Sequence, residues 1–327
     1  MASQASIDAF FASVESGRYF SRLVNAPSPH ARRSTPELVY HATLNGKEPT
    51  CTVVTPVFDH STILQGHMKS VAGSASLPFD WIVIDDGSED GTSETAKSFF
   101  ESGHNGLASR ATIIRNRVPI YETACDNVGF SLAETEIIIE IQADIQIREP
   151  AFDRLFLQAL RTSPTPSAIS GRCGHTFAFL QRRRNPLRRL FGDHRNESVG
   201  LCGRSIETPE RIDAIKGRTY RCETVNRGPW LLLKSDLERH GYLDERFFFL
   251  GNDDHDYHRR LFDAEGRRPL YVPMSLYSPL PLGAARRRRR GVNREVFEML
   301  SAERHGSPAF RQFLASQQAS CVPEEIM

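Results

Sequence analysis

The sequence has no apolar run that approaches the roughly 18 residues of a membrane-spanning helix. It also lacks the features of an export signal, because no basic residue opens the N-terminus and Asp8 and Glu15 interrupt the first apolar stretch. Neither membrane insertion nor secretion by such a signal is expected from these patterns. We therefore predict a cytoplasmic protein.

The six cysteines include no Cys-x-x-Cys pair and no spacing typical of a zinc site. Free, buried thiols in a reducing compartment are the expectation that follows. The formal net charge is +1 over 327 residues, so no overall field favours nucleic acid or a membrane as the partner. The composition is that of an ordinary globular chain, long enough to bury a large core.

The chain divides into three parts by its patterns. Residues 1–48 form an N-terminal appendage whose apolar residues recur at helical spacing, which predicts a helix with one apolar stripe. Residues 49–283 form the main domain, and residues 284–327 form a basic tail with one predicted helix. The residues of the N-terminal stripe are Ile7, Phe10, Phe11 and Val14.

Strands and helices alternate from residue 50 onward. Short β-branched runs predict the strands, and longer stretches predict the helices between them. This alternation is typical of an α/β domain with a mostly parallel central sheet flanked by helices. The predicted strands are 52–57, 81–84, 111–115, 136–141, 167–173, 230–233 and 270–272, and the predicted helices begin near residues 61, 92, 121, 254 and 294.

Polar or acidic residues stand where three predicted strands end, at Thr55, Asp85 and Asp144. In sheets of this kind the ligand lies at the carboxyl ends of the strands, so these residues should face one crevice. Asp86 and Gly87 continue the turn after Asp85, and a carboxylate there can accept a hydrogen bond from the imide of uracil or from a ribose hydroxyl. Any strand-to-helix turn uses the same residue types, so this segment alone leaves both interpretations open.

A second acidic group opens a predicted helix at Asp253, Asp254 and Asp256, with His255 among them. Three carboxylates within four residues repel one another unless a cation or the helix N-terminus compensates. Capping needs only one of them, so we interpret the group as part of a site. Asp144 is a candidate ligand for Mn²⁺ or Mg²⁺, which take oxygen ligands, although a single aspartate at a strand end is more often a turn residue.

Six segments occur in an order and spacing that resemble family 2 of the GT-A-fold glycosyltransferases, from about residue 50 to residue 281. They are Val54-Thr55-Pro56-Val57-Phe58; Ile84-Asp85-Asp86-Gly87-Ser88 followed by Asp90-Gly91-Thr92; Asn116 with Ala124, Asn127 and Gly129; Gln142-Ala143-Asp144; Asn226-Arg227-Gly228-Pro229 with Gly241 to Phe247; and Asp253-Asp254.

The resemblance implies a GT-A fold and an inverting transferase that takes its sugar from a nucleotide-diphospho-sugar, with a UDP-sugar as our first choice. It implies Mn²⁺ or Mg²⁺ held on the diphosphate by Asp144, and a general base at Asp254 with Asp253 and Asp256 on the acceptor side. A carbohydrate or glycoconjugate would be the acceptor. The residues that would hold the nucleotide sugar are Thr55, Pro56, Asp85, Asp86, Asn127, Gln142, Asp144 and Arg227.

Two positions depart from the family's pattern. Gln142 stands where the family carries the first acid of Asp-x-Asp, so less negative charge is available to a metal ion. The family's late metal-binding histidine is absent, and Tyr277-Ser278 stands in its place. His255 is the substitute that we consider, against its ordinary interpretation as a surface histidine.

Arginine is concentrated in residues 182–189 and in an unbroken run near residue 290. A solvated loop is the ordinary interpretation of such runs. The functional alternatives are a lid over the diphosphate, or contact with an anionic acceptor or the periphery of a membrane. No aromatic residues interleave with the arginines, so nucleic acid is not expected as a partner. The run consists of Arg286, Arg287, Arg288, Arg289 and Arg290.

Two other functions share parts of this pattern. A nucleotidyltransferase of similar fold would need a glycine-rich basic loop near the first strand, and Val57-Phe58-Asp59-His60 is not such a loop. A non-catalytic nucleotide-sugar-binding protein would keep Asp85 and Asp86 and could lose the second acidic group, which this chain retains.

Overall fold

The computed structural model describes the chain in several stretches. The predicted N-terminal helix and the run of five arginines lie outside them. Within the described residues, no helix is long and apolar enough to span a bilayer. The cysteines of this part, Cys51, Cys125 and Cys222, are buried free thiols, as expected. The described stretches are 36–117, 122–163, 165–172, 216–222, 224–243 and 253–279, with the backbone of 205–206 and 324–325.

Long strands and helices alternate in the first half of the described chain, and most strands of the second half are only two residues long. The helices are α1 (Ser61–Ser74), α2 (Thr92–Glu101), α3 (Glu122–Leu132), α4 (Phe152–Thr162), α5 (Lys234–His240) and α6 (Asp253–Glu265). The strands are β1 (Glu37–Thr43), β2 (Cys51–Val57), β3 (Phe79–Asp85), β4 (Ala108–Arg115), β5 (Ile137–Glu140), β6 (Gln146–Ile147), β7 (Ile169–Ser170), β8 (Ser205–Ile206), β9 (Tyr220–Arg221), β10 (Trp230–Leu233), β11 (Leu270–Tyr271), β12 (Leu276–Tyr277) and β13 (Glu324–Glu325).

The main sheet has the strand order β1-β4-β3-β2-β5-β10-β7-β11-β9-β13. Its centre, from β4 through β3 and β2 to β5, is parallel, and β10 then pairs antiparallel with β5. Because β3 and β5 lie on opposite sides of β2, the chain changes direction across the sheet at β2. Crevices that bind ligands in doubly wound sheets open at such a switch point, beyond the carboxyl ends of the strands.

The strands and helices predicted between residues 50 and 141 are confirmed, with ends that differ by a few residues, whereas β6 and α4 were not predicted. The β-branched runs become β2 to β5 because buried parallel strands must be apolar on both faces. In the second half, the strand at Trp230–Leu233 and the helix that begins near residue 254 are also confirmed. The predicted α/β class with a mostly parallel central sheet is therefore correct.

One strand of the sheet lies in the part of the chain that was assigned to the N-terminal appendage. Glu37–Thr43 forms β1 and pairs antiparallel with β4, from Glu37 opposite Arg115 to Thr43 opposite Arg110. No strand was predicted there, because the sequence carries no continuous apolar run. In the structure the residues of this strand are exposed or half-buried. The division into three parts stays a prediction.

The core lies on both faces of the sheet. One face packs Val54 and Ile84 against α3, where a Cβ added to Gly129 would meet the Val54 side chain at 2.3 Å. On the other face Trp81 contacts Phe99 and Phe100, with ring centroids 6.0 and 5.5 Å away. This packing fixes α3 against β2 at the switch point.

Candidate active site

The turn after β3 is organised by Asp85. Its carboxylate accepts hydrogen bonds from the backbone N–H of Ser88 (2.8 Å) and from the hydroxyl of Ser93 in α2. Gly87 and Gly91 adopt φ values of 77° and 85°, a backbone region that side chains with a Cβ rarely enter. Asp85 therefore shapes the turn and has little surface to offer a ligand.

Asp86 is the acid of this turn that lies toward α3. Its backbone N–H donates to the carbonyl of Val57 (2.8 Å), which fixes it beside the end of β2. Its Oδ1 accepts a hydrogen bond from Nδ2 of Asn116 (3.0 Å), and the same amide lies 3.4 Å from Sγ of Cys125 in α3. Asp86 is thus linked through Asn116 to the first half of α3.

Thr55 and Pro56 precede the end of β2 and are buried. The Thr55 hydroxyl accepts a hydrogen bond from the indole N–H of Trp81 (3.1 Å) and lies 3.3 Å from Nε2 of His67 in α1. Its neighbour Val54 faces α3, so Thr55 faces the opposite side of the sheet. The structure does not bring the Thr55 side chain to Asp86 or Asp144.

Gln142 and Asp144 follow β5 in a tight turn, in which the Ile145 N–H donates to the Gln142 carbonyl at 2.9 Å. The side-chain amide of Gln142 donates to Oε1 of Glu122, the first residue of α3. Asp144 is partly exposed. Burial and then the negative charge of Glu122 raise the pKa of Asp144, and the charges of His60 and Arg172 lower it.

The second acidic group forms the first turn of α6. Oδ2 of Asp253 accepts a hydrogen bond from the hydroxyl of Thr123 in α3 (2.7 Å). Oδ1 of Asp254 accepts from the backbone N–H of His255 (2.8 Å) and lies 2.7 Å from Nδ1 of the same histidine. Asp256 points along its own helix, where Nε of Arg260 donates to it at 3.0 Å.

The two adjacent acids of this turn differ in their ionisation. Burial raises the pKa of Asp253, and the neighbouring Asp254 raises it further against the opposing charge of Arg227. Burial also opposes ionisation of Asp254, but the charge and hydrogen bond of His255, together with Arg227, hold its pKa below the ordinary value. Environments that separate the pKa values of two neighbouring carboxyls give them different chemical roles.

A buried acidic cluster lies beneath these segments and was not predicted from the sequence. Oxygens of Glu122, Asp126 and Glu140 lie within 4.8 Å of one another. Arg227 donates to Asp126, and its Nη2 lies 3.3 Å from Asp253 Oδ1 and 3.5 Å from Glu122 Oε1. The guanidinium therefore already occupies the place of a cation among these carboxylates.

Glu140 and Asp126 are the most deeply buried members of this cluster, each with 0 % of its surface exposed. Glu140 accepts a hydrogen bond from the backbone N–H of Gly228 (3.1 Å), but its Oε1 and Oδ1 of Asp126 have no hydrogen-bond partner among the described residues. Burial raises the pKa of Glu140, and the charge of Asp126 raises it further. A single sequence signal marks it, a charged residue inside a run of isoleucines.

Asn127 is buried and ties α3 to the segment before α6. Its amide and carbonyl form hydrogen bonds with the backbone carbonyl and N–H of Leu243, both at 3.0 Å. Its side chain therefore holds two elements together.

The first half of α3 contacts each of the three acidic segments. Glu122 binds Gln142 beside Asp144, Thr123 binds Asp253, and Cys125 lies against the Asn116 amide that binds Asp86. The contacts of one helix thus connect all three segments.

The sheet order and these contacts define an α/β domain in which acidic residues lie beyond the carboxyl ends of the strands at the switch point. Residues 52–204 match the family model described as glycosyl transferase family 2, which confirms the resemblance seen in the sequence. The matched stretch covers just under half of the chain and begins in β2. No curated protein matches the chain.

Several solved structures resemble the chain at low identity. TarS of S. aureus is 13 % identical with a TM-score of 0.49, over 79 % of this chain and 40 % of its own. The mannosyltransferase PcManGT of Pyrobaculum calidifontis, in complex with GDP-Man and Mn²⁺, is 16 % identical with a TM-score of 0.47, over 88 % of this chain and 66 % of its own. Glucosyl-3-phosphoglycerate synthase of Mycobacterium tuberculosis is 15 % identical with a TM-score of 0.43, over 78 % and 79 %. The chain thus spans less than half the length of TarS.

Proposed function

We propose that the protein is an inverting glycosyltransferase that moves a sugar from a UDP-sugar to an acceptor hydroxyl. The observation that carries the proposal is the convergence on α3. Asp86, Asp144 and the Asp253-Asp254 pair come from distant parts of the sequence, and the first half of one helix contacts the environment of each. A transferase needs a nucleotide site, a diphosphate site and a base in one crevice.

Asp86 would bind the nucleoside, because it lies at the carboxyl end of β3 beside the switch point. Its carboxylate can accept a hydrogen bond from the imide N–H of uracil or a ribose hydroxyl. Asp85 supports the turn from within through Ser88 and Ser93. Thr55, whose hydroxyl binds Trp81, and Asn127, which binds Leu243, would act on the site only by positioning backbone.

Asp254 would be the general base. Its depressed pKa keeps it ionised at neutral pH, whereas the pKa of Asp253 is raised. The positive end of the α6 dipole also favours the anion. In the reaction, the acceptor oxygen forms a bond to the anomeric carbon while the bond from that carbon to the diphosphate breaks. The hydroxyl proton passes to Asp254, and UDP leaves with the bonding electrons.

Asp144 would hold Mn²⁺ or Mg²⁺ on the diphosphate. The donor set fits such an ion, because a partly exposed carboxylate lies beyond a strand end and a second carboxylate, Glu122, contacts Gln142 two residues before it. When bound, the ion would neutralise charge on the departing diphosphate.

Arg227 would position other residues and would not contact the donor directly. Its guanidinium is buried and pairs with carboxylates of α3 and α6. It therefore holds the helix that carries Asp254 against the helix that contacts Asp86 and Gln142.

Calorimetric titration with UDP in the presence of Mn²⁺ tests the nucleotide assignment. Asp86→Ala should weaken UDP binding by about 10- to 150-fold, because a hydrogen bond to a charged acceptor contributes roughly 1.5–3 kcal/mol. Glu89→Gln is the matched control, since Glu89 is an exposed acid of the same turn. Its UDP affinity should equal that of the wild type.

Equal UDP affinity in folded Asp86→Ala and wild-type protein would refute this nucleotide site. GDP in place of UDP tests the choice of base. Incubation with UDP-sugars followed by NMR of the released or transferred sugar tests the stereochemistry, and retention of the donor's anomeric configuration would contradict an inverting mechanism.

A further inference from the structure

The environment of Gln142 contains a carboxylate that the sequence pattern did not reveal. Gln142 stands where the resembling family has an acid, and its amide donates a hydrogen bond to Oε1 of Glu122. Glu122 is the first residue of α3, so it approaches from a different element than the strand that carries Asp144. An acidic group is therefore present beside position 142, but it is supplied by a helix.

We propose that Glu122 replaces the missing acid of the Asp-x-Asp motif and binds the divalent cation of the donor site together with Asp144. This inference rests on the proposed function, because it concerns the ion on the diphosphate of the same donor.

Exposure separates Glu122 from the other members of the buried cluster. The Glu122 side chain is 35 % exposed, whereas that of Asp126 is 0 % exposed. Asp126 is bound by Arg227, and Glu140 accepts from the backbone of Gly228 within the sheet. Glu122 is thus the carboxylate of the cluster that a ligand in the crevice can reach.

The partners of Glu122 suit a metal ligand. The Gln142 amide binds one of its oxygens, and Arg227 Nη2 lies 3.5 Å from the same oxygen, a longer contact than the one between Arg227 and Asp126. Hydrogen bonds to ligand carboxylates orient them toward a metal and are part of most metal sites. Gln142 would then be a positioning residue.

Electrostatics favour the same arrangement. Glu122 and Asp144 are like charges, and Glu122 accepts a hydrogen bond from Gln142, two residues before Asp144, so the two carboxylates repel one another. A divalent cation between them would turn this repulsion into attraction for both. Two carboxylates with diphosphate oxygens form the kind of oxygen ligand set that Mg²⁺ and Mn²⁺ prefer.

Mn²⁺ binding in the presence of UDP, measured by the EPR signal of free Mn²⁺, tests the proposal without a transfer assay. Loss of a residue that only orients a metal ligand weakens metal binding by about 10- to 100-fold. Glu122→Gln removes a ligand, so it should weaken Mn²⁺ binding by at least as much. Glu134→Gln is the matched control, since it removes an acid that is 70 % exposed just beyond the same helix. Its Mn²⁺ affinity should equal that of the wild type.

Rescue distinguishes a ligand from a residue that only supports the fold. In the double variant E122Q/Q142D, the acid returns at position 142, and Mn²⁺ affinity should recover toward the wild-type value. If Glu122→Gln does not fold, Glu122→Asp keeps a carboxylate on a shorter side chain and should show intermediate Mn²⁺ affinity.

Wild-type Mn²⁺ affinity in folded Glu122→Gln, or in Glu122→Asp where only that variant folds, would overturn the inference. If Asp144→Asn still lost Mn²⁺ in that case, the proposed metal site at Asp144 would stand without Glu122. A wild-type protein that binds no Mn²⁺ with UDP would overturn both.

Discussion

Replacing Glu140 by glutamine should make the protein more stable at neutral and alkaline pH. Glu140 lies in the centre of the sheet, between β2 and β10, with no exposed surface. Its pKa is raised well above the ordinary value, first by burial and then by the charge of Asp126, although Arg227 opposes the shift. At high pH the folded protein must hold an ionised carboxylate that water would solvate better.

The sign of the effect follows from the two protonation states. In the unfolded chain a glutamate ionises near pH 4.3. Because the folded pKa is higher, the stabilising contribution of the protonated acid is complete below the unfolded pKa and is lost as the pH rises through the folded pKa. Between the two pKa values, the free energy of unfolding falls by about 1.4 kcal/mol for each pH unit.

Glutamine keeps the shape and removes the charge. Its carbonyl oxygen can accept the hydrogen bond from the Gly228 N–H that Glu140 accepts now at 3.1 Å. Its amide would bring a donor to a cluster in which Asp126 Oδ1 lacks a hydrogen-bond partner among the described residues. The gain over the wild type should therefore grow by about 1.4 kcal/mol for each pH unit between the unfolded and the raised folded pKa.

Thermal melts of the wild type and Glu140→Gln from pH 5 to pH 8 measure this difference. The gap in melting temperature should widen as the pH rises. Glu101→Gln is a suitable control, since Glu101 is 54 % exposed at the end of α2, and its gap should stay small at every pH. A Glu140→Gln protein that melts below the wild type at pH 8 would refute the reasoning.

The remaining predictions concern the reaction. Asp254→Asn should lower the rate of UDP release from the donor by about 10²–10⁴-fold with UDP affinity nearly unchanged, as expected for a base. A stronger loss of rate in Asp253→Asn than in Asp254→Asn would show that the neighbouring acid is the base. Asp144→Asn should raise the Mn²⁺ concentration needed for half-maximal turnover, and full wild-type activity in EDTA would contradict the metal's role. Gln142→Asp should tighten Mn²⁺ binding, because it adds a charged ligand beside Asp144.

The central sheet could be predicted because its signals are local. Runs such as Ile137 to Ile139 contain only residues that fit a buried parallel strand, and the Asp85-to-Gly91 turn carries the residues that positive φ values and helix starts require. The second half was harder, since strands of two residues, such as β9 and β12, are too short to show a period. The edge strand β1 was not predicted, because an exposed edge strand needs no apolar face.

The elements that carry the candidate site residues were predicted from the sequence, but the directions of their side chains were not. Thr55 and Val54 are adjacent, and the alternation of a strand places them on opposite faces. Which face carries α3 depends on how the helices connect the strands, and a single strand's sequence does not contain that information. The ion pairs of Arg227 were not predicted for a similar reason, because one of its carboxylate partners, Asp126, lies 101 residues before it in sequence.

The position of α3 has a consequence for how mutations in the site should combine. Glu122 touches the segment of Asp144, Thr123 touches Asp253, and Cys125 touches the amide that binds Asp86. Residues that share partners do not act independently, and their effects on free energy fail to add. A change in the first turn of this helix should therefore act on Asp86, Asp144 and Asp253 at once, whereas a change at the exposed face of α2 should act on none of them. The acidic segments are separate in sequence, but the helix that supports them makes them one energetic unit.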